Sequence, residues 1–334
     1  MAPRWLRRLV IAPLPGVALL FAVTTAPLWL LAAALASPLL PGKMRPLRLL
    51  LVAIAYLTLE SIGIALATVH WLVAGFGRTL DEPRQRARSY RILRLVLNSL
   101  VAVAERVLGV TIDVSGDPPP PGQPPAVFLC RHAGPGDSLL LVDALQDGGR
   151  HPRIVLKQAL RWDPALDILL GRLPNRFVPP GGGGTAMADA IGSLAVDLGE
   201  QDALVLFPEG GNFTQERRRR SIARLEASGL TAEAEQARRM RYVLSPRPAG
   251  TVAALHAAPA DCDVFFVAHA GLDDLVGLVD LWRGLPMDRD VAIRYWHVPA
   301  AQVPRDPAAI TPWLNQWWER VDGWVGAQLD GAPD

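Results

Sequence analysis

The stretch that decides the fold is Val127–Leu140, "VFLCRHAGPGDSLL". Three apolar residues run into Cys130 and Arg131. His132 follows, then the small-residue loop Ala133-Gly134-Pro135-Gly136, then Asp137 and a new apolar pattern. An uninterrupted apolar run bounded by turn residues reads as a strand buried on both faces, and Ser138–Gln146 reads as the helix after it. The same grammar recurs downstream. "RIVLK" (153–157), "RFVPP" (176–180), "ALVLF" (203–207) and "DVFFVAH" (263–269) are strand-like. Met187, Ile191, Leu194 and Leu198 mark a helix that begins near Thr185, after the glycine run Gly181–Gly184. Strands alternating with helices predict an α/β layered domain with a mostly parallel central sheet flanked by helices.

The N-terminal part is different. No charged residue lies between Leu9 and Gly42, and only Glu60 lies between Leu49 and Phe76. A bilayer core about 30 Å thick needs roughly 20 apolar residues in a helix, so both stretches are long enough, with prolines at 13, 15, 27, 38 and 41 trimming the first. A signal peptide accounts for only the first stretch. Residues 1–80 are therefore expected to form a membrane-embedded helical hairpin, with Glu60 turned toward the partner helix. Arg4, Arg7 and Arg8 precede it, Lys43, Arg45 and Arg48 sit in the bend, and six arginines from Arg78 to Arg94 follow. That excess of flanking positives predicts both ends, and the domain beyond, on the cytoplasmic face. Residues 81–110 read as an amphipathic linking helix with Ile92, Leu95, Val96, Leu100 and Val103 on its apolar side. Residues 111–116 read as a short strand, and the proline-rich 116–125 as a stiff loop.

Composition narrows the function. Lys and Arg total 34 against 32 Asp and Glu, a net charge of +2, so no nucleic-acid partner is expected. Cys130 and Cys262 alone give no disulfide framework.

The chemistry sits where strands end, because ligand sites in α/β sheets lie beyond the carboxyl ends of the strands. A neutral histidine takes a proton from a hydroxyl when a carboxylate holds its ring in the right tautomer. Asp137 can reach His132 across the Gly-Pro-Gly loop, and no serine or cysteine nucleophile is then required. The competing reading is an aspartate that merely caps the following helix beside an unrelated histidine. A second strand end, "LVLFPEGGNFT" (204–214), places Glu209, Gly210 and Gly211 in a turn whose backbone N–H groups can approach an anion. Alone it is an ordinary turn; with the first motif and a membrane hairpin it is a constellation.

These residues resemble the PlsC-type glycerolipid acyltransferases, the lysophosphatidic acid and lysophospholipid acyltransferases. That family carries H-x-x-x-x-D followed by F-P-E-G-[TS]-R. "VLKQALRWDP" (155–164) and "RYVLSPRPAGT" (241–251) resemble its lysocardiolipin-type branch. The resemblance implies acyl transfer from acyl-CoA or acyl carrier protein to the free hydroxyl of a lysophospholipid, with no metal or resident cofactor. It implies His132 as general base, Asp137 as its orienting partner, Glu209, Gly210 and Gly211 at the acceptor, and Arg176 as an anion-binding residue. Lys157 is a candidate phosphate ligand at a strand end. The chain departs from the pattern at Gly211-Asn212, where the family has Thr or Ser and then Arg, and it lacks the proline of the family's last strand. The departures leave open a lysolipid with a larger headgroup, a glycolipid acceptor, or a lipid-binding protein without catalysis. Arg217–Arg220 read as a solvated helix face or as contacts to anionic headgroups. His269 reads as a structural histidine, and Trp313, Trp317, Trp318 and Trp324 as core or as an interfacial anchor.

Overall fold

In the computed structural model the described residues are all but 41–43, 121–123, 180–183, 274–281, 285–288 and 332–334. Lys43, most of the glycine run 181–184 and the middle of the proline-rich loop lie outside them. The chain divides into two compact units. One comprises Met1–Thr111, Leu156–Gly181 and Leu278–Arg289; the other comprises Ile112–Val155, Gly182–Gly277 and Asp290–Asp334.

The first unit is helical. α1 (Leu14–Thr24) and α2 (Ala26–Ala36) both pack on α3 (Arg45–Val73). Helical turns from Arg4 onward make the first apolar stretch Arg4–Thr24; it and α3 are long and apolar enough to cross a membrane by length and composition. Much of their apolar surface faces outward, including Leu14, Val17, Leu20, Phe21, Val69 and Val73, more than water tolerates on a soluble domain. Glu60, as its burden of charge demands, is buried. Gly63 permits close helix approach: a Cβ there would stand 3.1 Å from Val96. Val96 lies on α4 (Pro83–Val103). This helix is amphipathic, but it buries Tyr90, Leu93 and Leu97, while Leu95 is exposed. Ile92, Val96, Leu100 and Val103 of the expected apolar side are partly buried.

Residues 156–181 belong to the same unit. Their α6 (Pro164–Leu170) presents Asp167 to Arg7, with Nε to Oδ2 at 3.1 Å and Nη2 to Oδ1 at 3.3 Å, both side chains buried. Arg7 is thus an internal ion-pair residue rather than one of the free basic flanks. Lys157 and Arg176 lie in this segment and are exposed.

The second unit carries the α/β layers. Its strands are β1 (Val110–Gly116), β2 (Ala126–Cys130), β3 (His151–Lys157), β5 (Asp202–Leu206), β6 (Asp263–Ala270) and β7 (Arg289–Val298), ordered β1-β7-β6-β2-β5-β3; the short β4 (Arg176–Val178) belongs to the helical unit. β2 runs parallel to both β5 and β6, β3 is parallel to β5, and β7 is antiparallel to β6. The sheet is mostly parallel, as the sequence predicts. β7 does not stand out in the sequence, because its charged and aromatic residues mask the alternation of Val291, Ile293 and Tyr295 inward. β2 is buried along its whole length, the condition that a central parallel strand imposes. α7 (Thr185–Ala195), α10 (Pro248–Ala257) and the C-terminal α11 (Pro307–Asp330) cover one face. On α11, Trp318 is fully buried and Trp317 stacks on Phe266 of β6 at 4.5 Å, so these tryptophans build the core.

What the topology does for function is place the carboxyl ends of β6, β2 and β5 side by side. The β2–β6 register pairs Cys130 with Val267. Extended by two residues on each strand, it sets His132 level with His269.

Candidate active site

His132 is held at four points. Its N–H donates to Glu209 Oε1 at 2.9 Å, and its carbonyl accepts from the Phe213 N–H at 2.7 Å. Its ring stands over Phe207, with centroids 4.5 Å apart. Its Nδ1 lies 3.1 Å from both carboxylate oxygens of Asp137. Only a donor can face two carboxylate oxygens, so Nδ1 carries the proton and Nε2 is left with its lone pair.

Asp137 sits in the first turn of α5 (Pro135–Asp147), which starts three residues earlier than the apolar pattern suggests because Pro135 is well suited to a first helical turn. From there its Oδ2 accepts the N–H groups of Ala133 at 2.7 Å and Gly134 at 2.9 Å. Asp137 thus contacts both the helix start and the His132 ring. It caps the helix, and capping is what aims its carboxylate at His132. Ser138 donates to Oδ1 at 3.1 Å, and His269 Nε2 lies 3.2 Å from Oδ2. Burial alone would raise the Asp137 pKa, but the hydrogen bonds from His132 and His269 outweigh it and hold the carboxyl well below the usual range.

Glu209 is not at the surface of the site. It is 1% exposed, and its second oxygen accepts from the Leu244 N–H at 2.8 Å. Both oxygens are engaged by backbone, so the side chain braces the His132 loop against the 241–247 segment. That corrects the expectation of direct acceptor contact. Burial pushes its pKa up to about 8, against the lowering effect of the Leu244 N–H and the Arg131 charge. Arg131 is fully buried. It donates to the carbonyl oxygens of His269 (2.7 Å) and Tyr242 (2.9 Å), and it pairs with Asp273. Asp322 of α11 accepts three successive backbone N–H groups, from Arg241, Tyr242 and Val243, and so fixes the same segment from behind. No sequence signal distinguishes Asp322 from any other helical aspartate.

Gly210 has φ +69°, a conformation that favours glycine. A Cβ on Gly210 would lie 3.2 Å from Arg247 Nη1, and one on Gly211 would lie 3.0 Å from Arg217 Nη1. Two guanidinium groups thus crowd the turn from which the sequence motif lacks its arginine. Arg247 is tied to the turn through its own N–H, donated to Pro208 O at 2.8 Å. Lys157 and Arg176 belong to the helical unit. An apolar cavity adjoins Asp137 and His269, walled by residues such as Leu141, Phe207, Val267, Leu272 and Ile293. Cys130 also borders it, with a thiol that burial raises well above its usual pKa, so it is not a poised nucleophile.

Residues 111–269 match the family model described as Acyltransferase. Over this segment the chain is similar to acyltransferase domains. Among curated proteins, the chain is 25% identical over 263 residues to lysocardiolipin acyltransferase 1 of Danio rerio, covering 73% of this chain. The chain spans 62% of that relative's length. Among solved structures, the 1-acyl-sn-glycerophosphate (LPA) acyltransferase PlsC from Thermotoga maritima superposes with a TM-score of 0.50 over 85% of this chain and 99% of that one, at 16% identity. That likeness is one of fold. The matched segment contains His132, Asp137, Glu209, the 241–247 backbone and His269; of the groups described around the imidazole, only Asp273 and Asp322 lie beyond it.

Proposed function

We propose that the protein moves a fatty acyl group from a thioester, acyl-CoA or acyl carrier protein, to the free hydroxyl of a lysophospholipid. The observation that carries this is the His132–Asp137 geometry, with Nδ1 facing both carboxylate oxygens and Nε2 left as the base. Nε2 takes the hydroxyl proton as the oxygen attacks the thioester carbonyl carbon. The C–S bond then breaks, and the thiolate leaves with the proton that His132 gives back. Asp137 acts through His132, stabilising the imidazolium formed in between. The reaction as drawn needs no metal and no resident cofactor.

The nearness of Arg217 and Arg247 to the Gly210-Gly211 turn supports a role for them in holding the acceptor's phosphate. Neither pairs with a carboxylate among the described residues, and two guanidinium groups suit a phosphate. They replace, from other segments, the arginine missing after Glu209-Gly210. Lys157 and Arg176 remain candidates for anion binding on the resemblance alone. The two long apolar helices keep the domain at the membrane, where acceptor and acyl chains are concentrated, and the basic flanks favour the cytoplasmic face.

The test is full-length protein reconstituted in lipid, with labelled acyl-CoA or acyl carrier protein offered against a panel of lysolipids. His132→Ala is expected to abolish transfer; undiminished transfer refutes the base. Arg247→Ala is expected to raise KM for a phosphate-bearing lysolipid about tenfold with kcat little changed. A rise in KM for the thioester instead would move this phosphate site to the donor.

A further inference from the structure

Asp137 serves two imidazoles. His132 Nδ1 approaches from one side and His269 Nε2 from the other, the latter 3.2 Å from Oδ2 and 3.2 Å from the carbonyl oxygen of Arg131. Two acceptors face Nε2, so Nε2 carries a proton and donates to both. His269 is 7% exposed, and its Nδ1 has no hydrogen-bond partner among the described residues. A histidine whose purpose was to tie β6 to β2 would not need to reach the carboxylate: Arg131 already ties the two strands by donating its N–H to Val267 O at 2.9 Å and its Nη1 to His269 O.

Resting on the reading of His132 as base, we propose that His269 is a positioning residue that shares the charge of Asp137 and thereby sets how readily His132 holds a proton. Hydrogen bonds donated to a carboxylate reduce the charge it offers to any one partner. With His269 in place, His132 faces a carboxylate already engaged at Oδ2 by Ala133, Gly134 and His269. Removal of His269 returns charge to the His132 side and favours the imidazolium. The direction is the same whether His269 is a neutral donor or a cation, since losing either strengthens the field of Asp137 at His132. The other ionisable groups around the pair are Arg131 and Cys130 at the end of β2, Glu209 after β5, Asp273 after β6, and Tyr295 of β7, across the cavity. None of them contacts Asp137 through a hydrogen bond, so none substitutes for His269.

The experiment is the pH dependence of kcat/KM for the full chain in lipid, for wild type and for His269→Phe, His269→Gln and His132→Ala. The acid limb, where the base becomes protonated, is expected to move up by about half to one pH unit in His269→Phe. It should return toward wild type in His269→Gln, whose amide N–H can occupy the Nε2 position. An unmoved limb in folded His269→Phe overturns the proposal and leaves His269 a structural residue. If His269→Phe does not fold, His269→Asn, too short to reach Oδ2, must show the same upward shift, and an unmoved limb there is equally fatal. Activity retained in His132→Ala fails a different claim, that His132 is the base, and is read independently of the limb.

Discussion

Replacing Asp137 by asparagine separates the two things this side chain does. The amide oxygen can stay where Oδ2 is, keeping the Ala133 and Gly134 N–H groups, which lie 2.7 and 2.9 Å from it. What is lost is the negative charge beside His132. Nδ1 is 3.1 Å from each oxygen, which puts the centre of the imidazolium charge about 4 Å from that of the carboxylate. At an effective dielectric near 20, unit charges at about 4 Å attract by roughly 4 kcal/mol. In the proposed mechanism the imidazolium exists only once the hydroxyl proton has been taken, so this loss falls on the transition state. At about 1.4 kcal/mol per factor of ten, kcat should drop about a thousandfold with KM little changed. Stability should fall by only about 1–2 kcal/mol, because the capping oxygen survives. Transfer of a labelled acyl group measures the first quantity and a urea melt of the reconstituted protein the second. A folded Asp137→Asn protein within tenfold of wild-type kcat would show that His132 works without this carboxylate, and the role proposed for Asp137 would fall.

Two further changes probe the surroundings. Glu209→Gln puts an amide N–H₂ against one of two backbone N–H groups that the carboxylate now satisfies, and is expected to cost about 1–3 kcal/mol. Because burial raises the folded pKa of Glu209 from 4.5 to about 8, the group's contribution is fully present below about pH 4.5 and is lost as pH rises toward 8; the melting temperature of Glu209→Gln should therefore fall less steeply across that window than wild type does, and a parallel slope would refute the assignment. Cys130→Ala should leave kcat within about threefold, and the native thiol should resist a thiol reagent until the protein unfolds, since burial disfavours its thiolate; rapid labelling with loss of activity would contradict this.

The legible part of this molecule was what one chain segment shows by itself. β2 announces itself because a strand buried on both faces must be apolar at every position, and His132 and Asp137 are five residues apart on one loop. The contributions that escaped come from pairs of segments. Glu209 looks like a ligand in isolation and becomes a brace only because the Leu244 N–H arrives 35 residues later. Asp322 matters because α11 passes behind the 241–243 backbone. Arg217 belongs to a charge run and Arg247 to the 241–251 segment, and neither shows in the sequence its approach to Gly210-Gly211, which depends on α8 (Gln215–Ala227) and on the backbone bond from Arg247 to Pro208.

Strand order supplies the rest. With β2 between β5 and β6, the residues that follow these three parallel strands emerge at one edge, and each delivers a different element of the site: imidazole from β2, brace and turn from β5, second imidazole from β6. A single carboxylate then has to serve as helix cap, orienter of His132 and acceptor for His269. Such sharing makes the site sensitive to charge more than to shape. Substitutions that keep the oxygen positions but change the charge should therefore damage turnover out of proportion to stability, while those at Glu209 or Asp322, whose oxygens hold backbone, should do the reverse. A variant of either brace that lost turnover while keeping its full unfolding free energy would break that division.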